Sequence, residues 1–197
     1  MRYTWTYKTP DGFADLAMYG DDEMLAGLRF LGSRDEQRDG HVRKRRETPA
    51  FRATCRWLDA YFSGRAPGFT PRYRIEGLTP FRQDVIDAML EIPFGATVSY
   101  GDIAKRVSMR HGGQRTSARA VGGAVGWNPI CIIIPCHRVI GADGSLTGYG
   151  GGLGNKIALL AHEGVNLGEG RNPRPRSQGW AAGPGGEGRT PAQFLVN

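Results

Sequence analysis

Nothing in this 197-residue chain is apolar for long enough to cross a bilayer, which takes about 20 consecutive residues; the run 129–135 is only strand-sized. The start, Met1-Arg2-Tyr3-Thr4-Trp5, lacks a signal-peptide core, so a cytoplasmic protein without a membrane partner is expected. Cysteine is scarce. Cys55, Cys131 and Cys136 have no framework spacing, which argues against a secreted disulfide fold. No Cys-x-x-Cys or His-x-x-x-His occurs, so no metal site is expected. Neither a phosphate loop ending in Gly-Lys-Ser/Thr nor a Gly-x-Gly-x-x-Gly turn is found, so no cofactor is expected. One stretch lacks a charge sign altogether. Between Ile103 and Ala142 stand Lys105, Arg106, Arg110, Arg115, Arg119 and Arg138, with no Asp or Glu, and they supply most of the net +7. A pI near 9.7 says only that a polyanion is a suitable partner; the acid-free window says where it would bind.

With 40% hydrophobic and 23% charged residues the chain can bury a core, as one large domain or two small ones. Residues 1–76 read as an α/β domain, with strands at 3–8, 14–18 and 25–31. A charge-dense segment, 33–47, includes Arg43-Lys44-Arg45-Arg46 and reads as a solvated loop. Phe51, Trp57, Leu58 and Tyr61 recur at helical spacing, predicting an amphipathic helix over 50–63 with Cys55 as a structural thiol. Residues 79–168 read as a mainly α second domain. Thr79-Pro80 starts a helix, and Ser99 with Asp102 forms a capping box for another. After a polar linker, 108–115, comes a helix of small residues, 117–125, stopped by Gly126 and Asn128-Pro129. The pair is a helix-turn-helix (winged-helix-like) candidate. Gly122 and Gly123 weaken its second helix by about 1 kcal/mol each relative to Ala. Small residues admit a close neighbour, either a DNA backbone or another helix, and the pattern does not choose between them. The Gly- and Pro-rich tail, 169–197, is expected to be disordered.

The apolar β-branched run 130–134 predicts a buried strand, followed at once by Pro135-Cys136-His137-Arg138-Val139. A cysteine attacks only as thiolate, so it needs a base or a positive charge close by. His137 is adjacent, Pro135 lets the chain turn so that the two side chains meet, and Glu163 is suited to orient the imidazole. A Cys-His neighbourhood alone is weak, because most such cysteines are not catalytic. Cys131, inside the apolar run, reads as inert.

Several motifs occur in order. Pro135-Cys136-His137-Arg138-Val139 resembles the active-site motif of the O6-alkylguanine-DNA alkyltransferases (methylated-DNA–protein-cysteine methyltransferases). The segment from Arg119 to Ala124, with Asn128-Pro129, is similar to that family's recognition helix and hinge. Val98-Ser99-Tyr100 resembles the start of its helix-turn-helix, and Gly148–Gly152 and Leu160–Gly164 its pocket loop and last helix. The resemblance covers about 79–165 and implies a DNA-repair protein acting as a monomer on duplex DNA containing O6-alkylguanine, with O4-alkylthymine a second candidate. It implies Cys136 as alkyl acceptor, His137 as base through a water, Glu163 behind it, Asn128 as hinge and Tyr100 as proton donor to the leaving guanine. Arg119 would enter the duplex in place of the extruded base, and Ala120, Gly122 and Gly123 would face the minor groove. Tyr149 and Gly150 would wall the pocket, and the Val139 backbone would help to read the guanine edge.

Departures from the family pattern are specific. The linker carries extra residues, 109–115, which places Arg110 and Arg115 near DNA phosphates. Trp127 is bulkier than expected and is assigned to the pocket or the hinge. Gly150 stands where a small hydroxyl or Ala is usual. Competing readings are a non-enzymatic lesion-binding or regulatory protein on the same scaffold, a Cys-His hydrolase, and a plain helix-turn-helix regulator.

Overall fold

The computed structural model describes residues 2–36, 44–146 and 148–167. The tail expected to be disordered, 169–197, and part of the charge-dense loop lie outside the described residues. Four strands form one sheet: β1 (Tyr3–Tyr7), β2 (Leu16–Gly20), β3 (Leu25–Phe30) and β4 (Lys44–Arg45). Their order is β3-β2-β1-β4, antiparallel except for the β1–β4 pair. The second strand begins two residues later than expected and ends at a register shift at Tyr19/Gly20. Lys44 and Arg45 are exposed, yet they belong to a strand rather than to a loop.

Helix α1 (Pro49–Phe62) packs on this sheet through Phe51, Leu58 and Tyr61. Thr48 caps it, accepting from Phe51 N at 3.2 Å, with Pro49 at the position where a missing N–H costs nothing. The same chemistry starts α2 (Pro80–Leu90), where the Thr79 hydroxyl accepts from Arg82 N at 3.3 Å. The short β5 (Val98–Ser99) leads into α3 (Tyr100–Arg110), opened by the expected reciprocal Ser99–Asp102 box. This helix runs three residues into the segment read as linker. Ser117 caps α4 (Ala118–Val125). β6 (Val139–Ile140) pairs in parallel with β5, and α5 (Leu153–His162) closes the chain. A continuous apolar core joins the sheet to the helices, with Leu28, Phe30 and Tyr61 meeting Ile86, Met89, Val121, Ile134 and Leu159.

The strand expected at 130–134 does not form. Those residues are as buried as their apolarity demands, but the chain there is a run of tight turns. Ile133 N bonds Cys131 O at 2.8 Å, Ile134 N bonds Ile130 O at 3.1 Å, and Cys136 N bonds Ile134 O at 2.8 Å. Flanking Pro129 and Pro135 offer no N–H to a ladder. Ile132 takes φ 67°, a left-handed conformation that a β-branched residue adopts only when its surroundings compel it. One bridge survives, Ile130 against Leu28, with Leu28 N donating to Pro129 O at 2.9 Å. It ties the reactive segment to the edge of the N-terminal sheet.

Candidate active site and nucleic-acid interface

Cys136, His137 and Arg138 form a turn of 3-10 helix immediately after these turns, all three buried. Asn128 organises the approach. Its side-chain carbonyl accepts from Ile130 N at 3.0 Å, and its amide donates to Ile134 O at 2.9 Å and to Cys136 Sγ at 3.0 Å. One side chain thus ties the segment after α4 to the reactive turn. Asn128→Ala leaves buried backbone groups without partners and should cost about 2–4 kcal/mol, measurable as a lowered urea midpoint.

Cys136 and His137 share the turn, but no hydrogen bond joins them. Instead His137 Nε2 meets Glu163 Oε1 at 2.7 Å. An ionised carboxylate only accepts, so Nε2 carries the proton and Nδ1 presents a lone pair. Nδ1 is buried and has no partner among the described residues. Burial lowers the His137 pKa despite the pull of Glu163, so the ring rests neutral. Glu163 is a hub. It accepts from Arg138 Nε at 2.8 Å and Nη2 at 2.9 Å, from the Tyr61 hydroxyl at 2.8 Å and from Gly95 N at 3.0 Å. Burial by itself would raise its carboxyl, but His137 and Arg138 together hold it well below the usual carboxylate range. Gly95 sits at φ 74°, and a Cβ there would crowd the Glu163 carbonyl at 2.9 Å, so glycine is required.

Burial raises the Cys136 thiol above its ordinary value; the Asn128 hydrogen bond and the charge of Lys156 oppose this, and Asp35 adds to it. The resting sulfur is therefore a thiol that must be deprotonated to react. Sequence reasoning missed Lys156, which read as an ordinary helix residue. It is fully buried, its ammonium donating to Val139 O at 2.7 Å, and burial brings its pKa down to about 8. It also missed Tyr61 and Asp35.

A narrow cleft of about 10 Å³, enough for a single water, borders the sulfur, lined by Asp35, Tyr100, Asn128, Cys131, Cys136, Tyr149, Gly150 and Lys156 among others. Tyr149 and Gly150, assigned to the pocket, and Tyr100, assigned as proton donor, all line this cleft. Burial raises both tyrosines, which keeps their hydroxyls protonated as donors. Trp127 does not line the cleft, contrary to expectation. Its ring carries the Arg82 guanidinium 4.0 Å from its centroid. Val139 also stands behind the cleft, its carbonyl already engaged by Lys156.

The acid-free window of sequence is not an acid-free surface. Helix α2 presents Asp84, Asp87 and Glu91 to α3. Glu91 pairs with Arg106 and, at 2.6 Å, with Arg110; Asp87 lies 3.9 Å from Arg110, and Asp84 is 2.7 Å from His111. Arg110, placed by the sequence at DNA phosphates, is thus turned back onto α2, where it also donates to Asp84 O at 3.3 Å. Arg138 is spent on Glu163. Arg115 and Arg119 are exposed and have no ion pair with a described residue, and Ala120 and Gly123 share their exposed side of α4. A Cβ at Gly123 would meet nothing within 4 Å, whereas one at Gly122 would touch the Tyr100 ring at 3.9 Å. Internal packing therefore does not explain Gly123.

This fold and site define a helix-turn-helix protein with a buried cysteine held by an asparagine and followed in the chain by a histidine paired with a carboxylate. Residues 80–165 match the family model described as the 6-O-methylguanine DNA methyltransferase, DNA-binding domain. A methylated-DNA–protein-cysteine methyltransferase of Mycobacterium tuberculosis is 44% identical over 158 residues, 80% of this chain and 91% of that protein. One of Methanosarcina acetivorans is 41% identical over 164 residues, 82% of this chain and 98% of that protein. A solved structure of Mycobacterium tuberculosis OGT in complex with DNA superposes with TM-score 0.69 at 41% identity, covering 82% of this chain and 92% of that one. The chain belongs to the methylated-DNA–protein-cysteine methyltransferase family.

Proposed function

We propose that this protein repairs DNA by direct reversal. An O6-alkylguanine is turned out of the duplex into the cleft, and its alkyl group passes irreversibly to the Cys136 sulfur. The observation that carries this reading is the chain of contacts Asn128–Cys136 and His137–Glu163 beneath the cleft, with one histidine nitrogen left unpartnered and buried. A stacked base is out of reach of a thiolate, so extrusion, at a few kcal/mol, must come first. Arg119, exposed on α4, fills the gap left in the stack, and the side chain-free surface at Gly123 admits the minor groove. His137 Nδ1 then takes the thiol proton through a water, and Glu163 stabilises the resulting imidazolium. The thiolate attacks the alkyl carbon. The carbon–oxygen bond breaks with its electron pair going to the base, and Tyr100 donates its proton to the departing guanine. No group in the cleft is suited to hydrolyse the thioether, so each molecule reacts once. The intact cysteine with its oriented histidine leaves a binding-only reading without support.

Intact mass spectrometry after mixing with a duplex containing O6-methylguanine tests this: the expected result is one methyl added, at Cys136, and tight binding with no adduct would overturn it. For the interface, Arg115→Ala should lower the salt slope of DNA binding by about 1, the value for one lost phosphate contact. Arg110→Ala should leave that slope unchanged, because its charge is already met by Glu91. Titration of binding over a range of salt concentrations checks both.

A further inference from the structure

One buried hydroxyl is explained neither by the packing around it nor by the transfer steps. Tyr61 lies on α1, against the N-terminal sheet, and is 1% exposed. Its ring stacks on Trp57 with 5.6 Å between centroids and meets Phe62 and Phe94 edge-on at 5.2 and 5.9 Å. A phenylalanine would fill that place as well, so packing does not account for the oxygen. The hydroxyl donates to Glu163 Oε1 at 2.8 Å, the same oxygen that meets His137 Nε2 at 2.7 Å and Arg138 Nη2 at 2.9 Å. Glu163 does not need this bond to be satisfied. An ionised carboxylate has about four acceptor sites, and His137, Arg138 twice and Gly95 already occupy them.

A surplus donor changes the charge of the carboxylate rather than its bonding. The Nε2–H of His137 draws on Oε1 in both protonation states, and more strongly as imidazolium. A hydroxyl proton on the same oxygen takes up part of the negative charge that favours the imidazolium. It therefore holds the ring in its neutral form, the one that can accept a proton. The neighbouring cations act in the same direction. His137 is faced by Glu163 from the end of α5, by Lys156 from within α5 and by Arg138 from its own turn, and both cations favour the neutral ring. Tyr61 is faced by Glu163, Arg138, Cys131, Tyr149 and His162. Burial and the neighbouring carboxylate push its hydroxyl far up, so it stays protonated and remains a donor.

We propose that Tyr61 is a positioning residue for alkyl transfer: acting through Glu163, it limits the negative charge presented to His137 and so sets how far the pH can fall before transfer fails. The proposal rests on the alkyl-transfer reading above. It gives the N-terminal domain a part in the chemistry of the C-terminal one, through a hydroxyl 102 residues from its partner. Without that hydroxyl the carboxylate acts on the imidazole with its charge undivided, and the ring is protonated at higher pH. Neutral base is then scarcer on the acid side, while nothing is lost at alkaline pH.

Single-turnover transfer from a duplex carrying O6-methylguanine is measured as a function of pH for the wild type, for Tyr61→Phe and for a protein with 3,5-difluorotyrosine at position 61, whose more acidic hydroxyl is the stronger donor. On the acid limb Tyr61→Phe should be about 3- to 10-fold slower than the wild type, and on the alkaline plateau within about 2-fold of it. The fluorinated protein should depart the other way, transferring faster than the wild type on the acid limb. Urea midpoints at the same pH values show that each protein is folded where its rate is read. If Tyr61→Phe unfolds on the acid limb, the fluorinated protein, which keeps the hydrogen bond, decides alone. A uniform slowing of Tyr61→Phe at every pH overturns the proposal and leaves the hydroxyl a structural tie between the domains. Acid limbs that coincide in all three proteins overturn it as well. Failure of the wild type to transfer at any pH is a different result, which overturns the function itself.

Discussion

Glu163→Gln should lower stability by about 3–5 kcal/mol and remove most alkyl transfer. The carboxylate is buried and accepts from five donors on four residues: His137, Arg138 twice, Tyr61 and Gly95. Glutamine keeps the shape but turns one oxygen into a donor that faces other donors, and it leaves the Arg138 charge buried without its counter-ion. Breaking a buried pair by removing one partner costs about that amount. Chemistry suffers as well, because the neutral amide neither fixes the Nε2–H form of His137 nor balances the imidazolium. The pH dependence gives a second signature. A carboxyl whose pKa is depressed in the fold contributes stability that is present above the ordinary carboxylate pKa and lost as the pH falls toward the depressed value. The wild type loses this contribution on acidification, and the variant never had it. Urea midpoints of the two proteins should therefore be far apart at neutral pH and converge as the solution is made acidic. A constant gap would mean that Glu163 acts only through its shape.

Cys136→Ser should abolish transfer and leave the fold and DNA affinity intact. The hydroxyl can take the place of sulfur as acceptor from Asn128, so the hinge survives. A serine hydroxyl is a far weaker nucleophile than a thiolate, however, and a neutral histidine reaching it through water cannot compensate. Fluorescence anisotropy on a lesion-bearing duplex should show binding at least as tight as that of the wild type, since the lesion is never consumed. Intact mass should show no adduct. A methyl appearing on Cys131 instead would assign the acceptor role to the other thiol of the cleft. That outcome is disfavoured by its pKa, which burial and its neighbours push well above the ordinary value.

Where structure is decided by neighbours in sequence, the sequence was legible. Thr79-Pro80, Ser99 with Asp102 and Ser117 each place a helix start, because a cap is a contact across three residues. Cys136 and His137 are adjacent in sequence, and the His137–Glu163 contact matches the pairing drawn from the sequence. The run 130–134 shows the limit. Its apolarity reported burial correctly but carried no information on backbone angle, which Asn128 and two prolines decide. Arg110 read as a phosphate ligand because its partner Glu91 stands on another helix. Lys156 read as an ordinary helix residue because one lysine in a helix is normally solvated. Tyr61 lies 102 residues from its partner Glu163, and no local pattern spans that distance. Asp35 was hidden in a loop whose charges are otherwise those of a solvated surface.

The Tyr61–Glu163 contact has a bearing on how the protein is made. Glu163 follows the last turn of α5, so a ribosome has delivered the sheet, the helix-turn-helix and the cysteine before the residue that orients the histidine emerges. Until then, Cys136 has no oriented proton acceptor and the Tyr61 hydroxyl no partner. Bridging so wide a separation is slow, since the chain must lose its freedom before the contact repays it. The nascent chain therefore carries its cysteine without an oriented base, and base-assisted transfer begins only once the last helix is in place.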